Sequence, residues 1–143
     1  MSTEAEILES SHTVAVVGLS PNPVRSSYEV ASYLKQNGYK IIPVNPAAQQ
    51  ILGETSYPDL SSIPEKVDVV DIFRRPEDVP AIVEEAIRIG AKAVWMQEGV
   101  ENEAAATRAR AAGLKVVMDH CMRKEHIKLK KSGEGEKDFA FPW

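Results

Sequence analysis

The groups best suited to chemistry lie in one turn, GLSPNPVRS at residues 18–26, between a short apolar run and a helical pattern. Gly18 allows a sharp turn and lets a ligand approach the backbone. Ser20 offers a hydroxyl, and Ser26 is one of two adjacent serines able to begin the helix and leave its first amides facing the turn. Arg25 adds a guanidinium, which pairs well with phosphate. The spacing predicts an anion site at a helix N-terminus.

The same turn departs from the dinucleotide fingerprint. That fingerprint reads G-x-G-x-x-G, and an Asp or Glu ends the second strand. Gly18 matches the first glycine, whereas Ser20 and Pro23 occupy the other two positions, and Asn45-Pro46 follows the second apolar run without a carboxylate. A missing acid favours a ribose that carries phosphate, because a carboxylate would repel it. The turn therefore favours coenzyme A or NADP over NAD.

Arg74 and Arg75 stand directly after the third apolar run, in the stretch DIFRRP. Ligands of parallel sheets bind beyond the carboxyl ends of the strands, so these arginines share an edge with Gly18. They indicate a polyanionic ligand. An alternative is that they pair with Glu77 and Asp78, which follow in the sequence.

The other reactive side chains form no recognisable catalytic set. His120 and Cys121 are adjacent on an extended segment, so their side chains point to opposite faces and a Cys–His pair is not expected. Asp68 and Asp71 also fall on opposite faces of their run, which excludes a paired-carboxylate site. The histidines share no metal-ligand spacing with the cysteine. We expect neither catalysis by the chain itself nor a metal site.

Composition narrows the class of protein. The 143 residues carry a net charge of −4, with 43% hydrophobic and 27% charged residues, typical of a single globular domain. This charge argues against nucleic acid or an anionic membrane as a partner. The single cysteine excludes an internal disulfide and fits a cytoplasmic location. The start MSTEAEILESSHT is unlike a secretory signal, and no apolar run approaches the roughly 20 residues that span a bilayer.

Short apolar runs alternate with helical patterns along the chain. Because these runs are apolar on both faces, they predict buried parallel strands, at residues 13–17, 40–44, 67–73, 93–96 and 115–118. Helices are expected at residues 4–9, 26–37, 76–89, 101–112 and 121–131. The triplets GYK, GAK and GLK each join a helix to a strand, since glycine ends helices in the left-handed conformation. The alternation predicts an α/β, doubly wound, Rossmann-like fold: a five-stranded parallel sheet of order 3-2-1-4-5 with helices on both faces.

Two segments lack a clear period. Residues 45–66 are expected to form a loop with one short helical turn. Residues 132–143 form a polar segment that ends in aromatic residues. We therefore place one binding domain at residues 1–131 and a loosely packed tail at residues 132–143.

Taken together, the chain resembles the small stand-alone CoA-binding proteins and, more distantly, the CoA-binding N-terminal domain of the succinyl-CoA synthetase alpha subunit. The resemblance runs in order from about residue 12 to 126, through VAVVGLSPNPVRSSYEVASYL, GYKIIPVNP, LGETSYPDL, IPEKVDVVDIFRRPEDV, AIRIGAKAVWMQEGV and AAGLKVVMDHCMRKEH. It implies that the cofactor is coenzyme A or an acyl-CoA. The implied site residues are Gly18, Leu19, Ser20, Arg25 and Ser26 in the phosphate loop, Val44, Asn45 and Pro46 at the adenine and ribose end, and Phe73, Arg74, Arg75, Gln97 and Gly99 at the later strand ends. Family members often carry lysine and arginine where this chain has Ala47 and His120.

The leading interpretation is a CoA-binding protein without catalysis of its own. An NAD(P)-binding oxidoreductase is the first alternative, although the fingerprint glycines and a substrate domain are missing. A module that acts in trans with a synthetase or acyltransferase partner is the second, since the RRPED stretch and the aromatic end offer contact surface.

Overall fold

The structure is a computed structural model that describes the backbone of residues 2–140 and the side chains of residues 2–132. In chain order the elements are α1 (Thr3–Ser10), β1 (Thr13–Val17), α2 (Ser26–Gln36), β2 (Lys40–Val44), β3 (Gln50–Ile51), β4 (Glu54–Thr55), β5 (Val69–Ile72), α3 (Val79–Arg88), β6 (Ala93–Met96), α4 (Glu103–Ala111), β7 (Lys115–Val117) and α5 (Met122–Ala140). Single turns of 3-10 helix precede β5 and α3, at Leu60–Ser62 and Pro76–Asp78. The α/β, Rossmann-like class is confirmed.

Five parallel strands form the main sheet, in the order β2-β1-β5-β6-β7. Numbered among themselves these strands run 2-1-3-4-5, so the predicted order 3-2-1-4-5 is wrong. Pro43 gives the physical reason, because a proline lacks the amide hydrogen that an interior strand must donate and is therefore confined to edge strands. It pairs with Val16 of β1 on one side, while on the other its carbonyl accepts a hydrogen bond of 3.0 Å from the Tyr57 amide. The third parallel strand accordingly pairs with β1.

Helices cover both faces of the sheet, which makes a three-layer molecule with two apolar layers. α3 and α4 cover one face through Val79, Val83 and the alanines of α4. α1, α2 and α5 cover the other face. Every residue of β1, β5 and β6 is buried, as the uniformly apolar runs predicted.

The segment between β2 and β5 holds a hairpin that sequence analysis missed. β3 and β4 pair antiparallel through a turn at Leu52 and Gly53, whose φ angles are +57° and +73°. Leucine is a rare choice at such a left-handed position, where Asn or Asp is usual. The turn therefore has the usual glycine but not the usual Asn or Asp before it, and the sequence signal of a hairpin is incomplete.

The C-terminal helix is longer than the sequence predicted. α5 runs to Ala140 rather than ending at residue 131, so helical backbone continues through most of the expected tail. Residues 141–143, which hold part of the aromatic end, lie outside the described residues. The division into a domain and a tail stays a prediction. No helix in the part of the chain that the structure describes is long and apolar enough to cross a membrane.

Candidate ligand-binding site

The strand order reverses beside β1. The chain leaves β1 for β2 on one side and returns to β5 on the other, so a crevice opens above the carboxyl ends of β1 and β5. Such a reversal is where open α/β sheets bind ligands. Two cavities lie here, and Gly18, Ser20 and Arg25 line both of them.

The first cavity has a volume of about 280 Å³ and lies toward β6 and α5. Its other lining residues are Ser26, Ser27, Val30, Phe73, Gln97, Glu98, Val100 and Cys121. The second cavity has a volume of about 540 Å³ and lies toward β2 and α3. Its lining includes Val44, Asn45, Pro46, Asp59, Arg74, Glu77, Asp78 and Glu85. The loop after β1 is thus the wall that the two cavities share.

Gly18 is required by the sheet itself. Its φ is +87°, and a Cβ there would stand less than 3.0 Å from the carbonyl oxygen of Phe73 at the end of β5. No real side chain tolerates that contact, so only glycine lets the two strand ends meet. The approach of a ligand is therefore not what requires this glycine, because the backbone of Phe73 already fills the space beside its Cα.

Hydrogen bonds fix the loop between β1 and α2. The Ser20 amide donates to Ser27 Oγ at 3.0 Å, and the Asn22 amide donates to Ser20 Oγ at 3.1 Å. The Ser20 amide is therefore not free for a ligand. The loop is held in one conformation before any ligand arrives.

The start of α2 keeps unused donors. Arg25, not a serine, is the N-cap, and it makes no side-chain capping hydrogen bond. The amides of Ser26 and Ser27 have no acceptor among the described residues. Amides in this position, with the positive end of the helix dipole behind them, attract an anion. The predicted anion site at this helix is therefore geometrically available.

Asn45 is a positioning residue at the end of β2. Its Nδ2 donates to the carbonyl of Leu19 at 2.9 Å, and its Oδ1 accepts from the Ala47 amide at 2.8 Å. Both ends of the side chain are therefore engaged within the protein. Asn45 ties β2 to the loop after β1 and shapes the second cavity.

An internal carboxylate holds the two arginines after β5. Asp78 Oδ2 lies 3.2 Å from Arg74 and 3.3 Å from Arg75. The hydrogen bond from Arg75, with Arg74 nearby, lowers the pKa of Asp78, which is fully ionised at neutral pH. The alternative raised from the sequence, pairing with the acids that follow, is therefore the arrangement observed for Asp78.

Other acids of the second cavity are engaged in the same way. Glu85 accepts hydrogen bonds from the amides of Leu60 and Ser61, and Asp59 accepts from the Ser62 amide at 2.9 Å. These carboxylates cap the short helical turn before β5. The lining of the second cavity is therefore charged but largely self-satisfied.

Gln97 is the buried polar residue of the first cavity, with 4% of its surface exposed. Its Oε1 accepts a hydrogen bond of 3.1 Å from the Met122 amide at the start of α5. Cys121 lies beside it and is also buried. His120 instead points toward Glu4, with 3.9 Å between Nε2 and the carboxylate. The side chains of His120 and Cys121 thus diverge, as expected for adjacent residues.

Asp71 occupies the middle of β5, between Val16 and Trp95 on the neighbouring strands. It is completely buried, and neither carboxylate oxygen has a hydrogen-bond partner among the described residues. Burial raises the pKa of Asp71 well above its ordinary value. Strand alternation places Asp71 on the same face as Phe73, beneath the first cavity. Sequence analysis identified this acid but not its isolation.

Three of the residues implied by the resemblance line neither cavity in the described part of the chain. Leu19 is fully buried in the layer under α2. Arg75 points outward to Asp78, and Gly99 lies in the turn after β6, where its amide donates to Asp119 Oδ1 at 2.7 Å. The other implied residues surround the two cavities. Among the described residues no group of His, Cys, Asp or Glu is arranged to hold a metal ion.

Comparison with known proteins identifies the family. The family model described as "CoA binding domain" matches residues 12–127. The chain is 39% identical over 125 residues to the uncharacterized protein YneT of Bacillus subtilis (strain 168), covering 87% of this chain and 93% of that protein. It is 37% identical over 94 residues to acetate–CoA ligase [ADP-forming] II of Archaeoglobus fulgidus, covering 64% of this chain but 14% of the ligase.

A solved structure supports the same conclusion. A hypothetical protein from Pyrococcus horikoshii OT3 superposes with a TM-score of 0.87 and 40% sequence identity, covering 90% of this chain and 92% of that one. The resemblance seen in the sequence is confirmed: this chain belongs to the CoA binding domain family.

Proposed function

We propose that this chain binds coenzyme A or an acyl-CoA across the two cavities and performs no catalysis of its own. The observation that carries the proposal is the shared loop, which joins the cavities at the uncapped start of α2. An elongated ligand with a phosphate group in its middle matches this arrangement. The family match supplies the class of ligand.

The pyrophosphate is assigned to the start of α2. The free amides of Ser26 and Ser27 provide donors, and Arg25 provides a charge that has no ion-pair partner within the described residues. A charge-assisted hydrogen bond to phosphate is about twice as strong as a neutral one. Arg25 is therefore the side chain on which phosphate affinity depends most.

The adenosine end is assigned to the larger cavity, and the pantetheine end to the smaller one. Val44, Pro46 and Ile82 give the larger cavity apolar surface for the adenine ring. No carboxylate stands at the end of β2, where an NAD-binding protein would hold its ribose. The ligand is a small molecule, and the net charge of −4 supports the expectation that neither nucleic acid nor an anionic membrane is a partner.

Calorimetric titration tests the proposal. CoA, acetyl-CoA, 3′-dephospho-CoA, NAD and NADP are compared at fixed salt, with Arg25→Gln as the variant. Arg110→Gln, on α4 and away from both cavities, is the matched control. We expect CoA to bind more tightly than NAD or NADP and Arg25→Gln to weaken it about tenfold. Tighter binding of NADP than of CoA, or failure of both CoA and acetyl-CoA to bind, contradicts the proposal.

A further inference from the structure

Gln97 has a fixed orientation at the end of β6. Its carbonyl accepts a hydrogen bond of 2.9 Å from the Val100 amide, which holds the backbone. Its Oε1 faces the Met122 amide, a group that only donates. The atom opposite a donor must be the oxygen, so the Nε2 end of the side chain is fixed on the other side.

The Nε2 group is a donor without a partner. No described residue accepts a hydrogen bond from it, although Gln97 is buried and lines the first cavity. Among the described residues, the buried side-chain atoms without a partner are the two carboxylate oxygens of Asp71, so Gln97 Nε2 is accessible from the cavity and can bind water there. The cavity therefore presents a positioned donor to a ligand that brings a hydrogen-bond acceptor.

The surroundings of Gln97 restrict which acceptor fits. Val30, Phe73 and Val100 line the same cavity with apolar surface. The Glu98 carboxylate at this cavity is held by Lys124 at 3.0 and 3.1 Å. An amide brought next to Gln97 would have to place its own N–H among these groups. A group that only accepts leaves nothing unsatisfied there.

We propose that the first cavity holds the thioester carbonyl of a short-chain acyl-CoA, with Gln97 Nε2 donating to the carbonyl oxygen. This rests on the proposed function, since the pantetheine chain must lead from Arg25 into this cavity. A thioester carbonyl only accepts hydrogen bonds, whereas a free thiol is a weak partner for an N–H donor. The volume of about 280 Å³ accommodates a short acyl group. The preferred ligand is acyl-CoA rather than free CoA.

A ligand series on the unmodified protein gives the first test. CoA, acetyl-CoA and S-ethyl-CoA are titrated, because the ethyl thioether matches the acetyl group in size but lacks the carbonyl. We expect acetyl-CoA to bind at least about fivefold more tightly than either of the others. Equal affinity for acetyl-CoA and S-ethyl-CoA overturns the inference while leaving CoA binding intact. Failure of all three to bind overturns the proposed function itself.

Two variants locate the effect at Gln97. Gln97→Glu keeps an oxygen for the Met122 amide but replaces the donor, and Gln97→Met removes both polar ends at similar length. Gln36→Glu, at the end of α2 and away from both cavities, is the matched control. We expect the preference for acetyl-CoA over S-ethyl-CoA to vanish in both Gln97 variants and to persist in the control. A preference that survives in a folded Gln97 variant contradicts the assignment.

Discussion

The two cavities share a wall but differ in whether their polar groups have hydrogen-bond or ion-pair partners within the protein. In the second cavity, Asp59, Asp78 and Glu85 all bind partners within the protein, and Arg74 is held by Asp78. In the first cavity the donor of Gln97 and the amides that begin α2 have no partner among the described residues. The number of charged residues would favour the second cavity as the place where polar groups of a ligand bind. The unpaired donors favour the first cavity.

The acids near the two cavities also differ, because one has partners within the protein and the other has none among the described residues. Hydrogen bonds from arginine lower the pKa of Asp78 at the second cavity, while burial raises the pKa of Asp71 beneath the first. One acid is therefore ionised and the other is favoured in its neutral form. Asp78 is ionised beside two arginines, whereas Asp71 has no cation beside it in the described part of the chain and is favoured in its neutral form.

The largest loss of stability is expected from a substitution of Gly18, in the loop that the two cavities share. Gly18→Ala puts a Cβ less than 3.0 Å from the Phe73 carbonyl oxygen at a φ of +87°. Left-handed strain costs about 1–2 kcal/mol, and the clash adds a further cost of about 1–3 kcal/mol. We expect the free energy of unfolding, measured in urea, to fall by about 3 kcal/mol.

Gly113→Ala separates strain from clash. Its φ is +92°, but no atom lies within 4 Å of the position that a Cβ would occupy. Only the conformational cost should remain, about 1–2 kcal/mol. If the two variants lose the same stability, the close approach of β1 and β5 is not what requires Gly18.

A pH-dependent change is expected from the neutral acid. Because the folded chain raises the pKa of Asp71 above its ordinary value of 3.8, the folded state holds this proton more tightly than the unfolded one. Its contribution to stability is full below about pH 4 and is lost as the pH rises toward the folded pKa, by up to about 1.4 kcal/mol per pH unit. Asp71→Asn should remove this loss from the pH profile of urea unfolding.

Asp78 has the opposite effect on the pH profile of stability, and the variant Asp78→Asn, which removes that effect, serves as the control. The folded pKa of Asp78 is lowered, so its contribution is present above the unfolded pKa and disappears as the pH falls through the folded pKa. Identical pH profiles for the wild type and Asp71→Asn would show that the buried carboxyl does not titrate with folding.

The weakest of these effects concerns ligand affinity at the second cavity. Asp78→Asn releases Arg74, which then turns more readily toward a phosphate of the ligand. Surface ion pairs contribute little, so we expect CoA affinity to rise by only about twofold in calorimetric titration. Glu77→Gln, which removes a charge from the same cavity, tests whether net charge alone explains the change. An equal gain in both variants rules out a specific role for the Asp78–Arg74 pair.

The sequence predicted the elements well because burial is local in each strand. The uniformly apolar stretch VAVV required cover on both faces, and β1 has it. The predicted strand order was wrong, although Pro43 indicates the correct one. An interior strand donates amide hydrogens on both sides, and proline has none to donate. That single residue places β2 at the edge.

The site was less predictable because its properties depend on distant contacts. The free donor of Gln97 exists because the Met122 amide, 25 residues away, takes the oxygen. Likewise, the isolation of Asp71 depends on Val16 and Trp95 from other strands. Residue type gives the available groups, whereas the tertiary fold decides which of them remain unpaired.

The loop shared by the two cavities also governs how fragments of the ligand would bind. A nucleotide in one cavity and a short thioester in the other would each bind weakly as separate molecules. Joined through a pyrophosphate at the loop, the second group binds at the high effective concentration set by the linker. Affinity would then rise well beyond that of either half. In the proposed complex, the wall at Gly18 would make the site bivalent toward a single molecule.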